Sequence, residues 1–191
     1  MRPMAAALLA AFVILSGTSF ALAQSDLVVA GCPTGQSFVT GSITVAGAYA
    51  RATPKGAPTA GAYFTVANAG AAPDTLVGAS SGAASDLALH EMKMNGNVME
   101  MDPLAGGVAI PAGASVSLDP MSDHLMLTGL SAPLVEGQCL KMVLHFAKAG
   151  DLPVELNIGG FGQSAPPTAS PGASVMPSGA MDMDGMSSMA M

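Results

Sequence analysis

The sequence predicts an all-β domain, either a sandwich or a Greek-key barrel, for three reasons. Between about residue 40 and residue 160, short runs of β-branched and apolar residues are separated at regular intervals by Gly, Pro, Asn and Asp. No long stretch shows the periodicity of about 3.6 residues that marks an amphipathic helix. The chain has 191 residues, which is enough for one domain with its own core.

The predicted strands follow one another through this region. In chain order they are SITVAGAY, AYFTVANAG, DTLVGASS, LALHEMKM, GNVMEM, ASVSLD, HLMLTGL, CLKMVLHF and PVELNI. The fourth and fifth runs flank Asn95-Gly96, a pair that supplies the positive φ angles of a type I′ turn. We therefore expect these two runs to form a β-hairpin.

The start of the chain has the features of a cleaved signal peptide. Arg2 gives a positive n-region, residues 5–15 are apolar, and Ala21-Leu22-Ala23 is a small-x-small cleavage site. The apolar stretch is well short of the ~20 residues that a membrane-spanning helix needs. We therefore predict an exported protein, periplasmic or secreted, that is cleaved near Ala23 and has no stable membrane span.

The remaining chain divides by composition. Residues 24–40 are expected to be an N-terminal extension, and residues 41–160 the β-domain. Residues 161–191 consist mainly of Pro, Ser, Ala, Gly and Met, with few branched or aromatic side chains. Such a segment buries too little surface to offset the entropy of ordering, so a disordered Met-rich tail is predicted.

Charge and cysteine content limit the possible partners. The net charge is -7, which argues against nucleic acid or an anionic membrane surface as a binding partner. Cys32 and Cys139 are the two cysteines. In an oxidising compartment they could form a disulfide. Alternatively, Val29-Ala30-Gly31-Cys32 is similar to a lipoprotein processing box, in which case Cys32 carries lipid and Cys139 is a lone thiol.

The chain contains 15 methionines, and their positions suggest more than one role. Met142, within an apolar strand, is expected to fill a gap in the core. The tail has no core to fill, yet it contains Met176, Met181, Met183, Met186, Met189 and Met191. A thioether is a soft, uncharged ligand that suits Cu(I), and imidazole also binds copper. Methionine together with histidine in an exported protein therefore indicates copper.

Strand geometry suggests which of these residues meet. Residues i and i+2 of a strand share a face at a spacing of about 6.6 Å, so His124 and Met126 project together. His90 and Met92 do the same, and Met101 can join them from the returning arm of the hairpin. Met92 is then an auxiliary ligand or part of an apolar collar.

Other polar residues near these positions are expected to have no ligand role. Glu91 and Glu100 have the opposite strand parity and should face the other side of the sheet. His145 is expected to be an ordinary surface histidine with satisfied hydrogen bonds.

The spacing of these residues resembles the ligand pattern of a known family. His90, ten intervening residues, Met101, 22 intervening residues and His124-Leu125-Met126 are similar to the pattern of the periplasmic copper chaperones called PCuAC. The resemblance extends from about Gly41 to Ile158 and includes ARATPKGAPTAGAYFTVANAG and LHEMKMNGNVMEMDPLAGGVAIPAGASVSLDP. Tyr49 stands where the family usually has tryptophan, and the second gap is one residue longer than usual.

This resemblance implies a specific fold and role. It implies a cupredoxin-like Greek-key β-barrel or sandwich that holds Cu(I) through His90, Met101, His124 and Met126. It also implies delivery of copper to cytochrome c oxidase, at the binuclear copper centre, or to a partner of the Sco type. The Met-rich tail would bind additional copper. We expect a monomer that is not an enzyme, because no catalytic motif is present.

Two other functions remain open at this stage. An electron-transfer cupredoxin would have a similar fold, but its copper needs a cysteine thiolate beside two histidines. Cys139 and His145 would lie about 20 Å apart along one strand, too far to share a metal. The second alternative is a periplasmic copper buffer or resistance protein, in which the tail is more important than the barrel.

Overall fold

The computed structural model describes residues 28–33 and 35–166, and the strands of this part of the chain number twelve. They are β1 (Val28–Ala30), β2 (Ser37–Thr40), β3 (Ile43–Arg51), β4 (Thr59–Asn68), β5 (Asp74–Ser80), β6 (Ala84–Asn95), β7 (Val98–Pro103), β8 (Val108–Ile110), β9 (Ser115–Leu118), β10 (His124–Leu130), β11 (Gln138–Phe146) and β12 (Gly150–Gly159). Across the described residues there is no helix that is long and apolar enough to cross a membrane. The predicted all-β class is confirmed.

The strands form one hydrogen-bonded network with crossed connections. Its main path runs β7-β6-β10-β4-β3-β12-β11-β5-β8. Outside this path, β1 pairs with β11, β2 with β3 and β9 with β4. The β12–β3 pairing is parallel, whereas the other pairings are antiparallel. Several neighbours in space are distant in sequence, as in Greek-key sandwiches. One such crossover inserts β10 between β4 and β6.

A single apolar core holds these strands together. Leu125 and Leu127 of β10 are fully buried, as are Leu140 and Leu144 of β11, in keeping with the two-residue period of a strand. Each such side chain contributes about 1.5–3 kcal/mol by leaving water. Met142 is 3% exposed within the same cluster, which confirms its predicted role as a core residue.

The predicted hairpin is present, although its turn is shifted by one residue. Asn95 ends β6 and pairs with Val98 of β7, so the two turn residues are Gly96 and Asn97 rather than Asn95 and Gly96. Gly96 has a φ of 62°, which is left-handed backbone that glycine adopts at little cost. Gly-Asn is itself a favourable two-residue hairpin pair, and this explains the shift.

The segment from residue 24 to residue 40, set apart by its sequence as an extension, supplies two strands. β1 pairs with β11, with Val29 opposite Cys139, and β2 pairs with β3. Cys32 lies two residues after the end of β1 and forms a disulfide with Cys139, the two Cα atoms being 5.1 Å apart. Of the two fates left open for Cys32, the structure has the disulfide, so Cys139 is not a lone thiol.

The first residues of the predicted tail run back along the domain. Arg51 donates a hydrogen bond from Nε to the Gln163 carbonyl oxygen at 2.7 Å, and the Gly160 N–H donates to Gln163 Oε1 at 3.2 Å. Residues 161–166 therefore contact the β-domain. The predicted signal peptide, residues 1–23, and the predicted tail from residue 167 onward lie outside the described residues.

Candidate metal centre

The two histidines of the predicted site face each other across adjacent strands. β6 and β10 are antiparallel neighbours, and their register pairs His90 with His124. The ring centroids are 6.0 Å apart with 24° between the planes. The two histidines are separated by 33 residues in the sequence, and the crossover that places β10 beside β6 brings them together.

Met126 and Met101 flank this pair from opposite sides. Met126 shares the face of His124, two residues along β10, and Met101 of β7 pairs with Met92 of β6. Three of the four predicted residues, Met101, His124 and Met126, line one pocket of about 300 Å³. His90 lies beside this pocket, against the ring of His124.

The hydrogen bonds of His124 determine which ring nitrogen is free. His124 is 6% exposed, and its Nδ1 lies 3.2 Å from the Ser122 carbonyl oxygen. A carbonyl oxygen only accepts, so Nδ1–H donates, and in the neutral ring the lone pair is on Nε2. A backbone bond of this kind orients metal-binding histidines.

His90 contributes an unsatisfied ring atom. Its Nδ1 is buried and has no hydrogen-bond partner among the described residues. A buried polar atom without a partner costs about 1–3 kcal/mol. Coordination of a metal ion by Nδ1 would give this atom a partner.

Two tyrosines and an arginine form one side of the site. Tyr49 and Tyr63 are paired on β3 and β4 with ring centroids 5.1 Å apart, and Tyr63 is 6.3 Å from the ring of His124. Arg51 lies 5.3 Å from the Tyr63 ring centroid. Burial raises the pKa of Tyr63, and the Arg51 charge only partly opposes this effect. Tyr63 is therefore a neutral phenol at physiological pH and supports the site without supplying an anionic ligand.

Gly61 makes room for this arrangement. A Cβ atom at Gly61 would lie 2.2 Å from the Tyr63 hydroxyl oxygen, so the tyrosine side chain occupies the space above the glycine. Phe161, beyond the last strand, also lines the pocket. A search of the sequence for soft ligands, His and Met, gives no signal for Gly61, Tyr63 or Phe161.

The acidic residues near the site lie on the opposite face, as predicted. Glu91 pairs with Asp102, and Lys93 pairs with Glu100, each one residue out of phase with the methionines. Glu91 also forms an ion pair with Lys93 on its own strand. Within the β6–β7 hairpin, the site face therefore presents nitrogen and sulfur, whereas the reverse face presents these charged side chains.

The remaining histidine and the two cysteines have other partners and do not belong to this site. His145 Nδ1 lies 2.7 Å from Asp151 Oδ1, and its Nε2 lies 3.0 Å from Ser80 Oγ, so this histidine is the satisfied surface residue that was predicted. Cys32 and Cys139 lie close to Glu155, but the disulfide removes both thiolates as ligands.

The fold defines a class of domain that solved structures share. The copper-bound PCuAC domain from PmoF2 is 24% identical, with a TM-score of 0.56 over 65% of this chain and 98% of that domain. The apo PCuAC domain from PmoF1 gives the same identity and TM-score over 65% and 99%. The solution structure of CuI-DR1885 from Deinococcus radiodurans is 27% identical, with a TM-score of 0.51 over 65% of this chain and 80% of that one. The domain is thus a cupredoxin-like β-sandwich of the kind seen in PCuAC domains.

The chain belongs to the LpqE-like family of putative lipoproteins, whose family model matches residues 43–158. The putative lipoprotein Lxx21020 of Leifsonia xyli subsp. xyli is 38% identical over 100 residues. That match covers 52% of this chain and 60% of the relative, so the similarity spans less than two thirds of the relative's length.

Proposed function

We propose that this protein is an exported copper carrier that binds one Cu(I) ion through His90, Met101, His124 and Met126. The observation that carries the proposal is the pairing of His90 with His124 on adjacent strands, beside a pocket that Met101 and Met126 line. Two imidazoles with two thioethers form a soft donor set that suits Cu(I). The likeness to CuI-DR1885, at 27% identity, supports the same metal.

The burial of the four side chains suggests an order of release. Met101 is 44% exposed on the edge strand β7, whereas His124 is 6% exposed. An incoming thiolate or imidazole from an acceptor protein therefore displaces Met101 first. The buried His124 holds the ion until the acceptor has supplied its own ligands, so copper is never released into solution.

The proposed acceptor is a copper-accepting protein of the respiratory chain. Its two candidate forms are a cytochrome c oxidase subunit, at the binuclear copper centre, and a chaperone of the Sco type. The periplasm or cell envelope is the proposed location, and the family of putative lipoproteins supports export. A disulfide also suits an oxidising compartment. We further propose that the carrier acts as a monomer and that the tail methionines bind additional copper.

The donor set argues against the electron-transfer alternative. Blue-copper sites need a cysteine thiolate. The chain has two cysteines, and both are in the Cys32–Cys139 disulfide. The role of a carrier needs no catalysis, and we propose that the protein is not an enzyme.

An anaerobic Cu(I) titration against a competing chelator tests this function. The intact protein, a form truncated after Pro166 and Met101→Leu are compared, with Met121→Leu as the matched control because Met121 is 72% exposed and outside the pocket lining. Truncation there keeps Gln163, which contacts Arg51.

The truncated form and Met121→Leu should keep the tight site, and Met101→Leu should weaken it at least tenfold, about 1.4 kcal/mol. Unchanged binding by Met101→Leu would refute the ligand set. Loss of tight binding on truncation would instead assign the copper to the tail and make the protein a buffer.

A further inference from the structure

The β6–β7 hairpin carries four methionines on the face that holds His90. The register pairs Met92 with Met101 and Met94 with Met99, without a bulge. Paired residues share a face, and so do residues two apart on one strand, so all four side chains project from the His90 side. The residues between them on the other face are charged or polar. The hairpin thus separates sulfur from charge along its whole length.

The hydrogen-bond pattern brings the methionine side chains close together. The Leu104 N–H donates to the Leu89 carbonyl oxygen at 2.8 Å. Leu89 and Leu104 therefore form a hydrogen-bonded pair of the ladder, one residue before His90 on β6. The two kinds of pair alternate along an antiparallel ladder, so both methionine pairs fall at non-hydrogen-bonded positions. Their Cβ atoms are then about 4.5–5.5 Å apart across the strands. Each pair lies about 7 Å from the next, which flexible thioether side chains can span.

Three of these methionines are exposed and Met92 is half-buried, and none of the four belongs to the core cluster. Met94 is 67% exposed and Met99 is 38% exposed, and β7 is exposed throughout its length. β7 is the edge strand, so no described strand pairs with its outer side. A contiguous apolar patch on the surface of a monomeric protein commonly marks a binding site. The position of this patch next to Met101, a proposed Cu(I) ligand, suggests that it binds copper.

We propose that Met92, Met94 and Met99 form a second, weaker Cu(I) site at the hairpin, from which the ion passes to Met101 and into the pocket. This inference rests on the proposed Cu(I) function and adds the route by which the pocket is loaded. Three thioethers without an imidazole hold Cu(I) less tightly than the pocket does. Met92 is the cross-strand partner of Met101, so transfer needs only the exchange of one sulfur for another. Thioethers carry no proton, and the copper stays Cu(I), so the step releases no proton and moves no electron.

The test follows methionine methyl groups by NMR in the full chain, labelled at the methionine methyl carbon. Cu(I) is added anaerobically as its acetonitrile complex. The first equivalent should shift the signals of Met101 and Met126. Further Cu(I) should shift Met92, Met94 and Met99 together, as one binding event at higher free copper.

The double variant Met94→Leu/Met99→Leu should lose the Met92 response in the second phase and keep the first phase. Leucine preserves size and apolar character, and both positions are exposed, so the fold is retained. Met121→Leu is the control and should show both phases. Loading of the pocket from a Cu(I) chelate should also be slower in the double variant, with no change in equilibrium affinity.

Three results would overturn the inference. The first is a Met92 response that persists in the double variant. The second is a shift of the three signals at different copper concentrations. The third is the absence of any shift, as expected when a second copy or another protein covers this face. Failure of the proposed function gives a different pattern, in which Met101 and Met126 do not respond to the first equivalent while the hairpin signals still do.

Discussion

Removal of the Cys32–Cys139 disulfide should destabilise the protein strongly and leave the candidate metal centre intact. The bond closes a loop with a sequence separation of 107 residues. The loss of chain entropy in the unfolded state for a loop of that length corresponds to about 4.8 kcal/mol at 25 °C. Cys139 is 3% exposed, so alanine there adds a small cavity cost. Measured disulfide contributions are commonly about 2–4 kcal/mol, so we expect Cys32→Ala/Cys139→Ala to lose about 3–5 kcal/mol.

Urea unfolding followed by circular dichroism measures this loss. The midpoint should fall, and the m value should rise because the unfolded chain without the cross-link exposes more surface. Cu(I) affinity of the folded variant should be unchanged, since β12, β3 and β4 separate β11 from β10 in the sheet order. Wild-type protein treated with a reducing dithiol is the matched control and should behave like the variant. A loss below about 1 kcal/mol would refute the assignment of a large closed loop to the native protein.

Three further substitutions test the fold and the support of the site. Burial alone would raise the pKa of Asp74, but hydrogen bonds from three backbone N–H groups together lower it. The Asp74 carboxylate therefore stabilises the fold above about pH 4. This contribution is lost as the pH falls through the lowered pKa of the folded state. Asp74→Asn should therefore cost about 1–3 kcal/mol in urea unfolding at pH 7, and its difference from wild type should shrink below about pH 4; a difference independent of pH would contradict this. Leu144→Ala, at a fully buried position, should cost about 2–5 kcal/mol in the same assay, and a smaller loss would mean that the core closes around the cavity. Gly61→Ala should displace Tyr63, cost about 1–3 kcal/mol and weaken Cu(I) binding by moving the ring that packs against His124; wild-type stability and affinity would show that the tyrosine is not held there.

Local patterns in the sequence were enough to predict several features of the site face. Strand periodicity predicts that Glu91 and Glu100 face away from His90, and the register of the hairpin confirms it. The same periodicity places Met92 on the histidine side. These predictions succeed because the alternation of side chains along a strand is a local property of the backbone.

The supporting residues of the site could not be predicted in this way. Tyr63 packs against His124 because β4 lies next to β10, and Phe161 reaches the pocket because the chain returns to the domain after β12. Neither residue has a ligand chemistry that would single it out. Their role depends on which strands become neighbours, and a single sequence does not specify that.

The sequence by itself determined the all-β class, the hairpin that carries the methionines and the soft character of the candidate ligands, because each follows from side-chain chemistry and short-range periodicity. Only the tertiary structure decided that β10 lies between β4 and β6, that His90 therefore faces His124, and that Cys32 reaches Cys139. These contacts join residues far apart in the chain, and they depend on the combined packing of the whole core rather than on any local segment.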